Sequence, residues 1–141
     1  MGLLNDYSGV GMSPRPKWRH QKVMSQLLVN MYCELTHEGY VPLTEATVTD
    51  DWNDLAPDIV VFDQNNVPMM IVEITTHKEC YEILQKCEEL MERFPYAEYF
   101  VYDYESEVLF GFDDASQEWF TSLDAEICSR FLKRPLLEYL N

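Results

Sequence analysis

The chain predicts an α/β domain with a central mixed sheet and helices packed on it. Three observations carry this expectation: helix-period apolar stripes near the start and middle, short continuous apolar runs between and after them, and the order in which the two alternate. Length agrees, since 141 residues fit one domain spanning 1–141. At 47% hydrophobic and 13% aromatic, the chain can bury a core despite its charge. Residues 1–15 read as a flexible N-terminus.

The first helix is expected from about Lys17 to Leu35, after Pro14 and Pro16. Val23, Leu27, Met31 and Leu35 form its stripe, with Met24, Leu28 and Tyr32 beside it, and Gly39 ends it. Tyr40 to Val48 is rich in β-branched residues and reads as a strand. Ile59 to Phe62 and Met69 to Ile74 are nearly continuous apolar runs, as central strands covered on both faces require. "DQNNVP" between them suits a hairpin turn. Thr76 and Glu79 fit a capping box, so a second helix should start there and run to about Phe94, before Pro95. Its apolar residues, Cys80, Ile83, Leu84, Cys87, Leu90, Met91 and Phe94, fall within an arc of roughly 120°. Glu98 to Asp103 and Glu107 to Phe112 read as another hairpin, and Trp119 and Phe120 as a last short strand. Thr121 to Asp124 resembles a second cap, opening a C-terminal helix to about Lys133.

Composition excludes several classes. No apolar run approaches the ~18 residues of a membrane span. The first residues lack the basic and apolar segments of a secretory signal, so the expected compartment is the cytoplasm. Cys33, Cys80, Cys87 and Cys128 form no C-x-x-C pair and the three histidines are scattered, which argues against a zinc knuckle or a disulfide framework. The net charge of −15 argues against broad nonspecific binding to polyanions. The basic residues are unevenly placed, however. Arg15, Lys17, Arg19 and Lys22 cluster near the start, and Arg130, Lys133 and Arg134 near the end. They are either two solvated helix faces or, if the ends meet, a local basic patch able to touch DNA phosphates. Exposed edge strands and the aromatic content make a homodimer plausible.

Two acids bracket the central runs. Asp58 opens the first and Glu73 closes the second. Side chains alternate along a strand, so Glu73 and Thr75 share a face. Neighbouring strands lie about 4.8 Å apart, and a favourable register would bring the two carboxylates within reach of one ion. Either acid alone could be a loop cap or a solvated strand end. A glutamate inside "MMIVEI" is harder to explain that way, because an unpaired buried carboxylate is costly.

"PDIVVFD…VPMMIVEIT" resembles the core of the PD-(D/E)xK nuclease superfamily, whose signature is P-D, a spacer, then E-x-K. The likeness is sharper with its Uma2-type branch, where the second strand reads roughly E-V-x-S and is followed by a helix with a lysine and an "EYW-x-V-D" strand. Here Glu73-Ile74-Thr75-Thr76 is followed by Lys86 and by Glu98-Tyr99-Phe100-Val101-Tyr102-Asp103. The resemblance covers roughly Lys17 to Trp119. It implies a restriction-endonuclease-like fold and metal-dependent hydrolysis of DNA phosphodiester bonds. It further implies Asp58 and Glu73 as ligands of Mg²⁺ or Mn²⁺, with the Ile74 carbonyl as a third. Thr75 stands where the superfamily keeps its lysine and cannot supply positive charge. Lys86, at the rim of the second helix's apolar arc, is the candidate to replace it, with Thr75 assisting. The acidic hairpin that usually precedes the first helix of Uma2-type proteins is not evident. Glu45 is a possible auxiliary ligand, and His20 and Gln21 could flank the cleft. The alternative is a nuclease-fold domain without catalysis, working as a protein-interaction module.

Overall fold

The computed structural model describes residues 18–140; the expectations for residues 1–17, Arg15 and Lys17 among them, lie outside these. Helix α1 spans Trp18–His37. Strands β1 (Val41–Thr44), β2 (Ile59–Phe62) and β3 (Pro68–Thr75) follow, then α2 (Cys80–Arg93), β4 (Glu98–Asp103), β5 (Val108–Asp113) and β6 (Glu118–Thr121). A 3-10 helix, Leu136–Leu140, closes the described chain.

The strands form one six-stranded sheet in chain order, β1-β2-β3-β4-β5-β6. Every neighbouring pair is antiparallel except β3 and β4, which run parallel across the α2 connection. That crossover makes the sheet mixed, and it needs a helix because a tight turn cannot join parallel strands. The two helices cover opposite faces. Met24, Leu27, Met31 and Leu35 of α1 pack with Ile59, Val61, Met70, Val72 and Ile74. Cys80, Cys87 and Leu90 of α2 pack with Val60, Ile71, Tyr99 and Val101. Strict alternation along β2 and β3 thus feeds two cores, which is why both read as continuous apolar runs. The α1 stripe lies where expected except at Tyr32, which is half exposed.

The β2–β3 hairpin turns through the expected residues. Asp63 N–H donates to the Val67 carbonyl at 2.9 Å, Asn66 adopts a positive φ of 61°, and the Asp63 carboxylate accepts from Asn65 and Val67 N–H. The strand expected from Tyr40 to Val48 is shorter, Val41–Thr44, because Glu45 takes a positive φ of 55° and leaves the ladder.

Two expected helix features are corrected. Thr76 and Glu79 do not form a capping box. Glu79 itself is the N-cap and makes no side-chain cap bond, while the Thr76 hydroxyl meets the Glu79 carboxylate at 3.2 Å. The expected C-terminal helix from Thr121 to Lys133 does not form. Two isolated turns appear instead, with Asp124 and Ala125 N–H on the Thr121 carbonyl and Leu132 N–H on the Ser129 carbonyl. Beyond the first, buried Ile127 and Ser129 alternate with exposed Cys128, the period of an extended chain. Glu98 holds that segment extended by accepting from the Ser129 hydroxyl and from Arg130 N–H.

Candidate functional site

The register of the central strands places the two acids. Ile59 pairs with Val72, so Asp58 lies next to Glu73 just past the end of the β2–β3 ladder. Backbone bonds fasten the pair from both sides. Asp58 N–H donates to Glu73 Oε1 at 2.9 Å, and Ile74 N–H donates to Asp58 Oδ2 at 2.7 Å. Each carboxylate thus accepts from the other strand's backbone where the ladder would otherwise fray.

Glu73 shares a face with Ile71, which packs in the α2 core, and its side chain is nearly inaccessible at 3% exposure. From α2, the Lys86 ammonium reaches Glu73 Oε2 at 2.8 Å. The contact is an ion pair without the angle of a directed hydrogen bond, so Oε2 is buried and unsatisfied in that respect. Burial pushes the Glu73 carboxyl up, the Asp58 charge adds to this, and Lys86 pulls the other way without cancelling it. Burial lowers Lys86, but the Glu73 carboxylate outweighs it and the ammonium is held charged. The α2 arc therefore puts Lys86 at its rim, as the spacing predicts.

His20 completes the group. Its Nε2 lies 3.2 Å from Asp58 Oδ2, and its Nδ1 is buried without a hydrogen-bond partner. The hydrogen bond to Asp58 raises the imidazole pKa against the opposing effect of burial. Thr75 is also buried, and its hydroxyl donates to the Thr76 carbonyl at 3.1 Å. All of these residues line one cleft of about 610 Å³, whose wall also includes Glu45, Lys78, Glu79 and Tyr104. The Glu45 backbone is tied to the site, its N–H donating to the Asp58 carbonyl at 2.9 Å. Among the described residues, no group of three or more His, Cys, Asp or Glu side chains is placed to hold a metal ion. Any ion here would have two side-chain carboxylates, and Glu45 does not make a third.

Sequence reasoning weighed His20 only as a flank of the cleft and missed Tyr104. Neither has a local signature, because their neighbours come from distant segments. The helical phase of His20 offered one signal: it lies on the same side of α1 as buried Met24 and Leu27. A separate polar group, His77, Asp103 and Ser106, stands at the ends of β3 and β4. Asp103 Oδ2 and the Ser106 hydroxyl both contact His77 Nδ1, at 2.9 and 3.0 Å, so the three do not form a nucleophile–base–acid relay.

Among the described residues the two basic clusters do not merge. Arg19 and Lys22 lie at the start of α1, whereas Lys133 N–H bonds Glu34 near its end. The helical rise puts Arg19 and Glu34 roughly 22 Å apart. No helix of the described residues is long and apolar enough to cross a membrane.

A crystal structure described as a putative nuclease of the DUF820 family, from Anabaena variabilis, has the same fold. The TM-score is 0.67 at 18% identity, over 93% of this chain and 87% of that one. No family model and no curated protein matches the chain. The shared fold is the restriction-endonuclease-like α/β fold that the ordered motifs implied.

Proposed function

We propose that the chain is a divalent-metal-dependent nuclease that hydrolyses DNA phosphodiester bonds at the cleft of Asp58, Glu73 and Lys86. One observation carries this reading. The strand position of the superfamily lysine holds Thr75, yet an ammonium still stands 2.8 Å from the buried carboxylate, delivered by Lys86 from α2. The neighbour described as a nuclease supports the same direction.

The donor set suits Mg²⁺ or Mn²⁺, which take oxygen ligands and retain waters. Glu73 Oε2 lacks a directed hydrogen bond, and the Asp58 charge bears on Glu73; a cation between the carboxylates would answer both. Asp58, Glu73 and the Ile74 carbonyl would hold it. When bound, such an ion lowers the pKa of a coordinated water and polarises the phosphate. The chain's own residues do the rest. Ile74 N–H and His20 fix Asp58 through Oδ2, which leaves Oδ1 without a partner among the described residues. Asp58 N–H orients Glu73. Lys86 supplies positive charge where negative charge grows on the phosphate oxygens, the role Thr75 cannot take.

The test is cleavage of plasmid DNA with Mg²⁺ or Mn²⁺. The reading expects nicking by the wild type that EDTA stops and Asp58→Asn abolishes. A wild type that leaves the plasmid intact with either ion counts against it. A second reading, the nuclease fold as an interaction module, draws on the same charges. Lys86 and His20 already partner the two carboxylates from within, and among the described residues no third side-chain ligand joins them. It expects no cleavage and no metal binding.

A further inference from the structure

In a chain of net charge −15, a cation without a carboxylate partner is informative. Among the described residues, Lys86, Arg93, Arg130 and Arg134 each have one within 4.0 Å. Arg19, Lys22, Lys78 and Lys133 have none there. Three of these four border one continuous surface. Lys78 lines the cleft of Asp58 and Glu73. Arg19 and Lys22 line an adjoining groove of about 230 Å³, together with Trp18 and Tyr102. The two depressions meet at Tyr104, which lines both. Tyr104 is buried, and the Arg19 guanidinium rests over its ring at 5.2 Å, so the tyrosine is a seat for the arginine. Trp18, by contrast, is 72% exposed.

We propose that this groove carries a single-stranded stretch of nucleic acid running on from the cleft. Trp18 stacks a base, Arg19 and Lys22 hold phosphates beside it, and Lys78 holds one at the cleft. An exposed indole beside cations in a narrow groove is the chemistry that binds unpaired bases and their backbone. A duplex hides its base faces from Trp18, and the acidic remainder of the surface repels its second row of phosphates. The ligand's identity rests on the nuclease reading of the neighbouring cleft.

The test is fluorescence anisotropy of the full chain with a short labelled single-stranded DNA, in EDTA so that binding is read without hydrolysis. Circular dichroism checks the fold of each variant. Arg19→Gln with Lys22→Gln should weaken binding and reduce the slope of log affinity against log salt by roughly 1.4. Trp18→Ala should weaken it about tenfold and remove the quenching of tryptophan emission by the bound strand. Lys133→Glu, at the far end of α1, should bind like the wild type. Wild-type affinity in the Arg19/Lys22 variant overturns the proposal, as does an equal loss in Lys133→Glu or a blunt duplex that outcompetes the single strand. Cleavage keeps the two readings apart. A protein that binds through Trp18 and Arg19 but never cuts loses the catalytic reading and keeps the groove. One that cuts, while its groove variants bind DNA unchanged, keeps the catalytic reading and loses the groove.

Discussion

A glutamate at 3% exposure persists only where something answers its charge. Asp58 N–H and the Lys86 ammonium do so for Glu73, and each makes a different prediction. Removing the ammonium in Lys86→Ala leaves the carboxylate buried with its oxygen unpaired, a cost of about 1–3 kcal/mol that thermal denaturation should show. If Lys86 also stabilises the reacting phosphate, the same substitution lowers the cleavage rate by roughly 10²–10³. Thr75→Val should leave the rate close to that of the wild type, because the Thr75 hydroxyl is engaged by the Thr76 carbonyl. An equal loss in both variants would contradict the division of roles drawn here. At this scale the sequence was informative about the pair and the lysine. Strand alternation put Glu73 and Thr75 on one face, and the helical arc put Lys86 at its rim. His20 was legible only as a flanking residue, since its bond to Asp58 joins segments that no local pattern connects.

The elements that read clearly are those whose period is set by burial on one side. The α2 stripe and the two central strands are examples; both strands fall within a residue of expectation, and α2 ends within one residue of it but starts at Cys80, four residues after Thr76. The C-terminal segment failed because a threonine followed by an acid resembles a cap in any context. What decides that segment is Glu98, which holds Ser129 and Arg130 extended across the fold. Two positions test this packing. A Cβ on Gly111 would stand 2.8 Å from Ile127 Cγ2, so Gly111→Ala should destabilise by about 1–3 kcal/mol. Ile127→Ala, which removes that methyl, should cost less in the Gly111→Ala chain than in the wild type. Tyr139 ties the 3-10 helix to α1 through its hydroxyl, which donates to Glu34 at 2.6 Å. Tyr139→Phe should cost about 1–2 kcal/mol in chemical denaturation. The loop after β1 is tied to α2 by both guanidinium nitrogens of Arg93 on Asp54, at 2.8 and 2.7 Å. Arg93, then the Thr49 hydroxyl and Leu55 N–H, hold the Asp54 carboxyl below the usual carboxylate range. A depressed carboxylate adds stability above its unfolded value and loses it as pH falls towards its folded value. The gap in Tm between wild type and Asp54→Asn should therefore be open at neutral pH and narrow in the acid range. A gap that widens on acidification would contradict the assignment.

Across the whole molecule, the mixed sheet between two helices was legible from the order of periodic segments. The strand order and the parallel β3–β4 pair were not, because they depend on contacts that α2 makes by crossing the sheet. That crossover also unites the site: β3 brings Glu73, α2 brings Lys86, α1 brings His20, and the start of β2 brings Asp58. The charge balance acts at the same scale. Among the described residues, an acidic surface leaves cations unpaired beside this cleft and its adjoining groove, and at Lys133, so the proposed contact with a polyanion would be confined to narrow places. The central claim is that Asp58 and Glu73 hold one divalent ion. Calorimetric titration with Mn²⁺ tests it directly, with Asp58→Ala and Glu73→Ala measured alongside the wild type. The account predicts one ion bound by the wild type and none by either variant. No heat of binding in the wild type, or binding that survives both substitutions, would contradict it.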